Sequence, residues 1–210
     1  MDRTVVRVVP SARAKDRFLV DFDSGENLTV TVAQVADFGL RPGRAFNEAE
    51  FGLLTDSASL TAAKQKALEA LARRPLSRRE VTDRLDRKGV REDVAEEAAD
   101  WLERMGYVDD AEYAGQIARH YAAKGYGPGR VREELAKRGV PRDHWDAALE
   151  QMPDTGDAVD RFLRTKLRGD PDRKEKKRVA DALLRRGFSW EEIRSAMERW
   201  EMERWENESE

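Results

Sequence analysis

Three glycines set the frame of this chain, because Gly89-Val90, Gly139-Val140 and Gly187-Phe188 recur at separations of 50 and 48 residues. Superposing them superposes what comes before. An apolar pair stands four residues apart ahead of each glycine: Val81 and Leu85, Val131 and Leu135, Val179 and Leu183. Such a pair occupies one face of a helix. The basic pairs Arg87-Lys88, Lys137-Arg138 and Arg185-Arg186 directly precede the glycines, where the negative end of a helix dipole favours positive charge. Each glycine is then the residue that leaves the helix at positive φ. A first helix with Leu68-Leu71, Ile117-Tyr121 or Phe162-Leu163-Leu167 precedes each of these, and a third with Trp101-Leu102, Trp145-Leu149 or Ile193-Met197 follows. Ser77-Arg78-Arg79-Glu80 and Ser189-Trp190-Glu191-Glu192 fit the capping box, and Asp109-Asp110-Ala111-Glu112 is close to it.

The expected fold is therefore mainly α, with three tandem three-helix repeats at residues 61–108, 109–153 and 154–200, then an acidic tail at 201–210. Units this small bury their faces poorly alone. Stacking of neighbours into an elongated, curved array is the expected remedy. The first 56 residues differ, since Thr4 to Val9, Phe18 to Phe22 and Leu28 to Val32 are β-branched or aromatic runs with partial alternation. They predict a small β-rich N-terminal module, with a hairpin turn at Asp23 to Asn27, a short helix near Gln34 ended by Gly39, and a second at about Asn47 to Leu54. Ser57 to Thr61 reads as a linker.

Charge is dense but balanced, 39 Lys/Arg against 42 Asp/Glu, so the chain is not a general polycation. The local pattern is uneven: 154–188 holds 11 basic against 7 acidic residues, and 189–210 holds 3 against 8. With no cysteine and only His120 and His144, disulfide, thiol and zinc chemistry are poor expectations. Neither histidine reads as a site. Gly125-Tyr126-Gly127-Pro128-Gly129 opens a helix without a preceding strand, which favours a helix-to-helix turn over a phosphate cradle. Asp109 and Asp110 start a helix and are expected to cap it. No catalytic residue, metal or cofactor is expected. The valine-rich N-terminus has no signal-peptide order and no run reaches membrane-spanning length, so a cytoplasmic chain away from membranes is expected.

Gly106-Tyr107-Val108-Asp109-Asp110-Ala111-Glu112-Tyr113 resembles the signature that enters the second repeat of the RecX family, and the likeness continues through Gly125-Tyr126-Gly127, Val131, Leu135 and Arg138-Gly139-Val140. It covers about 61–200, and the N-terminal module is similar to the extension of some longer members. The resemblance implies a non-enzymatic regulator of recombination, DNA repair and the SOS response. Such a protein lies along the RecA filament on DNA and restrains its ATP hydrolysis and strand exchange. It makes Gly106, Tyr107, Asp109, Asp110, Tyr113 and Gly139 structural motif residues. The basic rows are the candidates for contact with RecA, or with single- or double-stranded DNA: Arg84, Arg87 and Lys88; Arg132, Lys137 and Arg138; Lys177, Arg185 and Arg186. A monomer is expected. Tyr107, Tyr113, Tyr121 and Trp145 are spaced for packing, whereas Trp200 and Trp205 are expected at the surface. Two other readings stay open, a helical DNA-binding protein acting alone and a non-catalytic adaptor.

Overall fold

Alternation in the first forty-six residues produces a four-stranded antiparallel sheet of order β3-β2-β1-β4, formed by β1 (Arg3–Pro10), β2 (Arg17–Phe22), β3 (Asn27–Thr31) and β4 (Ala45–Phe46). The computed structural model describes residues 2–12, 15–154 and 156–208. Ser209 and Glu210, the end of the expected acidic tail, lie outside them. Val5, Val20, Phe22, Val30 and Phe46 turn to one face, where Phe51, Leu54 and Ala58 cover them. Phe22 meets Phe51 edge to face at 5.0 Å, a favoured aromatic geometry.

The expected linker at Ser57 to Thr61 does not exist. One helix, α2 (Glu48–Leu71), starts at an Asn47–Glu50 capping box and runs through it. The segment contains no Gly or Pro to break it, buries Ala58, and is held from outside. The side chain of Gln34, buried on α1 (Val32–Asp37), donates to Ser57 Oγ at 2.8 Å and to Thr61 Oγ1 at 3.2 Å. The same helix thus covers the sheet and opens the first repeat. Its inward residues there are Ala63, Ala67 and Ala70, while Leu68 and Leu71 are only half-buried. α4 (Glu92–Arg104) lies against it with Ala95, Ala98 and Ala99 buried. Small side chains allow such close approach. α3 (Arg78–Asp86) completes this repeat with Val81 and Leu85 buried.

α5 (Asp110–Ala123), α6 (Pro128–Lys137), the 3-10 turn Arg142–His144 and α7 (Trp145–Glu150) form the second repeat around Tyr113, Ile117, Val131, Leu135 and Val140. The third is α8 (Gly156–Lys166), α9 (Arg173–Arg185) and α10 (Trp190–Glu208) around Val159, Leu163, Val179, Leu183 and Ile193. Gly89, Gly139 and Gly187 all have positive φ, at 72°, 66° and 87°. The expected helix-ending glycines are confirmed. The chain divides into two compact units, residues 1–74 with 81–107 and residues 75–80 with 108–210. The division cuts α3, whose first turn belongs to the second unit.

Candidate functional site

The first turns of the second helices carry the main polar geometry of the second unit. A helix start leaves backbone N–H groups without partners and a helix end leaves carbonyls; here the end of a second helix meets the start of the second helix one repeat earlier. Gly127 N donates to Arg186 O and Gly129 N to Gly187 O, both at 2.9 Å. The carbonyl end of α9 is thereby seated on the N-terminus of α6. A β-carbon on Gly127 would lie 2.6 Å from Gly187 O, so the expected turn is glycine-rich because another backbone presses on it. The equivalent contact at the start of α3 is made by Ser77 Oγ, which donates to Arg138 O at 2.5 Å.

The Gly-Tyr-Val-Asp-Asp motif serves the same junction. Asp109 caps α5 by accepting from Glu112 N at 2.9 Å, and Asp110, buried, accepts from Arg78 N at 2.9 Å at the start of α3. The Tyr113 hydroxyl donates to Glu80 Oε2 at 3.0 Å and accepts from Arg138 Nη1 at 2.7 Å. Burial pushes the Tyr113 phenol above its ordinary value, reinforced by Glu80 and opposed by Arg138. Burial of Arg138 opposes its charge, but Tyr113 and Glu80 outweigh it and the guanidinium holds its proton more tightly than usual. Buried Glu134 approaches Arg138 Nε at 3.7 Å and accepts from Arg130 Nη2 at 2.9 Å.

Arg138 is therefore committed inside the fold. Arg186, its counterpart, donates to Gly125 O at 3.2 Å and lies over the rings of Phe162 at 4.7 Å and Tyr126 at 5.5 Å. Among the other candidates, Arg87, Lys88, Arg132, Lys137, Lys177 and Arg185 are exposed and Arg84 is half-buried. Arg185 joins two basic residues the sequence reading passed over, Lys166 and Arg178, beside Phe162 along a groove of about 420 Å³ between α8 and α9. The excess of 11 basic over 7 acidic residues in 154–188 was the signal for it.

Several aromatics depart from expectation. Tyr107 is 54% exposed, not packed inside, and tilts against Trp101 at 6.0 Å, with Lys64 Nζ 5.0 Å from the Trp101 ring. Gly106, at φ 72°, turns the chain just before it. Trp205 is exposed as expected and Trp190 is exposed too, but Trp200 packs against the third-repeat core. Among the described residues no group of three or more His, Asp or Glu side chains is arranged to hold a metal ion. No described helix is long and apolar enough to cross a membrane.

Family models for RecX match all three repeats: the first three-helix domain at residues 63–102, the second at 109–149 and the third at 158–197. The chain belongs to the RecX family. The regulatory protein RecX of Xanthomonas axonopodis pv. citri is 36% identical over 136 residues, 63% of this chain and 83% of that protein. That of Stenotrophomonas maltophilia is 36% identical over 135 residues, with the same shares. A crystal structure of a regulatory protein RecX matches with a TM-score of 0.72 at 20% identity, covering 93% of this chain and 99% of the other. RecX from Lactobacillus salivarius matches at 0.60 and 22% identity, covering 69% and 97%. The larger of these shares exceeds what three RecX repeats supply. It therefore extends into the N-terminal module.

Proposed function

We propose that this RecX-family chain is a non-catalytic regulator that binds the RecA filament on DNA and restrains ATP hydrolysis and strand exchange. Its relatives are named regulatory proteins, and the observation that carries the reading is a division of labour among its basic residues. Arg138 and Arg186 are spent on junctions between repeats, while Arg132 and Lys137 on α6 and Lys177 and Arg185 on α9 stand at the surface, away from the buried Val/Leu stripes of their helices. Surface charges repeated on stacked helices suit many modest contacts along a polymer. Exposed Tyr107 on the first unit adds an aromatic contact candidate. The chain acts as a cytoplasmic monomer in this reading. RecA-dependent ATP hydrolysis on single-stranded DNA should fall as the protein is added. An unchanged rate at saturating protein would overturn the proposal. Direct binding of nucleic acid without RecA is a second reading, favoured by the groove that sets three cations, Lys166, Arg178 and Arg185, against one carboxylate, Glu175.

A further inference from the structure

α10 outlasts the repeat it belongs to. The third-domain match ends at residue 197, but the helix continues to Glu208. Residues 198–208 contain five Glu against two Arg, and they lie against a stretch, 160–178, with nine Lys/Arg against four Asp/Glu. Trp200 packs against the third-repeat core, while Met202 and Trp205 beyond it are 65% and 72% exposed. Ion pairs line this stretch. Glu203 accepts two hydrogen bonds from Arg164 Nη2, at 2.9 and 3.0 Å, and Glu201 accepts one from Lys176 Nζ at 2.7 Å. Two pairs of opposite sense flank them, Arg199 with Asp160 and Arg204 with Asp170, both at 2.9 Å.

We infer that the extension of α10 is an internal acidic clasp over a phosphate-binding face of the third repeat, occupying Arg164 and Lys176 until a nucleic-acid backbone displaces it. Lys166 and Arg178, each two residues along its helix from a clasped cation and so turned to another face, line a separate open groove together with Glu175. The clasp thus covers one basic face of the repeat and leaves the groove face open. An arginine that takes a carboxylate through its N–H groups takes a phosphate in the same way. The clasp pairs are solvent-exposed, with side chains about half accessible at Arg164, Glu203 and Glu201, so water and salt weaken them. A polyanion that brings many phosphates at once can therefore compete with two glutamates.

The inference rests on direct nucleic-acid contact and involves no RecA. The probe is a fluorescein-labelled 30-nucleotide single strand, titrated with the full chain at about 50 mM salt. Glu201→Gln with Glu203→Gln should bind several-fold more tightly and show a steeper salt dependence, by about 0.7 in logarithmic slope for each phosphate newly engaged on a single strand. Glu97→Gln with Glu150→Gln makes the same change in net charge elsewhere and should gain less. Adding Arg164→Gln and Lys176→Gln to the clasp variant should abolish the gain. A clasp variant no tighter than the parent, or a gain that survives loss of Arg164 and Lys176, overturns the clasp alone. No binding by any variant overturns the nucleic-acid reading with it. Equal gain toward a poly-glutamate chain of matched charge overturns the assignment to phosphate.

Discussion

The second and third repeats put an arginine at the same point, directly before the glycine that ends the second helix, and surround it differently. Arg138 enters a polar cluster with Tyr113, Glu80 and Glu134, whereas Arg186 lies on aromatic faces and meets a backbone carbonyl. Both side chains reach back to the start of the preceding second helix or to the turn before it. The position is conserved in role within this chain while its chemistry changes, so the repeat specifies a junction and not a particular bond. It also separates two kinds of basic residue that look alike in sequence.

The glycines that follow should show the difference most strongly. Alanine at Gly187 would drive its β-carbon into the Arg130 backbone, alanine at Gly139 into the Arg79 side chain, and alanine at Gly89 into open space. All three carry the left-handed penalty of about 1–2 kcal/mol, and the first two add overpacking of about 1–3 kcal/mol. Chemical denaturation should therefore rank Gly187→Ala as most costly, Gly139→Ala next and Gly89→Ala least. Equal losses at all three would mean that the glycines answer only to φ, and that the junctions are looser than drawn.

Leu135→Ala and Leu183→Ala remove fully buried side chains at equivalent positions, and each should cost about 2–4 kcal/mol. This part of the fold was legible in the sequence, because the apolar pair and the glycine are local signals with a fixed spacing. Strands β1, β2 and β3 were legible from their local β-branched and aromatic runs, whereas the two-residue β4, which exists only through its pairing with β1, was not. What was not legible depended on partners far along the chain: α2 continues through Ser57 to Thr61 because Gln34 anchors it from another helix. Tyr107 shares the helical spacing of core aromatics yet sits just after the Gly106 turn, and no spacing rule reveals that it faces solvent. Arg138 and Lys137 are adjacent basic residues with opposite fates, decided by Glu80 and Tyr113, more than twenty residues away.

Removing the Tyr113 hydroxyl tests the polar junction alone. Tyr113→Phe leaves the ring packed but deprives Glu80 and Arg138 of a partner, at a cost of about 1–2 kcal/mol. Its pH dependence has a definite sign. The folded state holds the phenolic proton more tightly than the unfolded chain does, so the contribution is full below the ordinary tyrosine pKa of about 10 and is lost as pH rises through the higher folded value. Parent and variant stabilities, measured by urea denaturation, should therefore converge above that range. A constant difference would mean that the hydroxyl is not coupled to the fold.

The smallest effect on stability is expected where the largest effect on function is. Lys177→Glu with Arg185→Glu changes exposed residues of α9 whose backbone is already held by a capping box and by the Val179–Leu183 stripe. Exposed charges contribute about 0–1 kcal/mol, so the melting temperature should hardly move. Reversing Arg186 is different, because Glu at that position would meet the Gly125 carbonyl and the Phe162 and Tyr126 rings with a charge that all three disfavour. Arg186→Glu should lower the melting temperature. If the α9 rows contact a filament or its DNA, the Lys177/Arg185 reversal should weaken inhibition of RecA-dependent ATP hydrolysis and flatten its salt dependence while the fold stays intact. Full inhibition by that variant at moderate salt would remove the third repeat from the working surface and leave α6, with Arg132 and Lys137, as the row to reverse next.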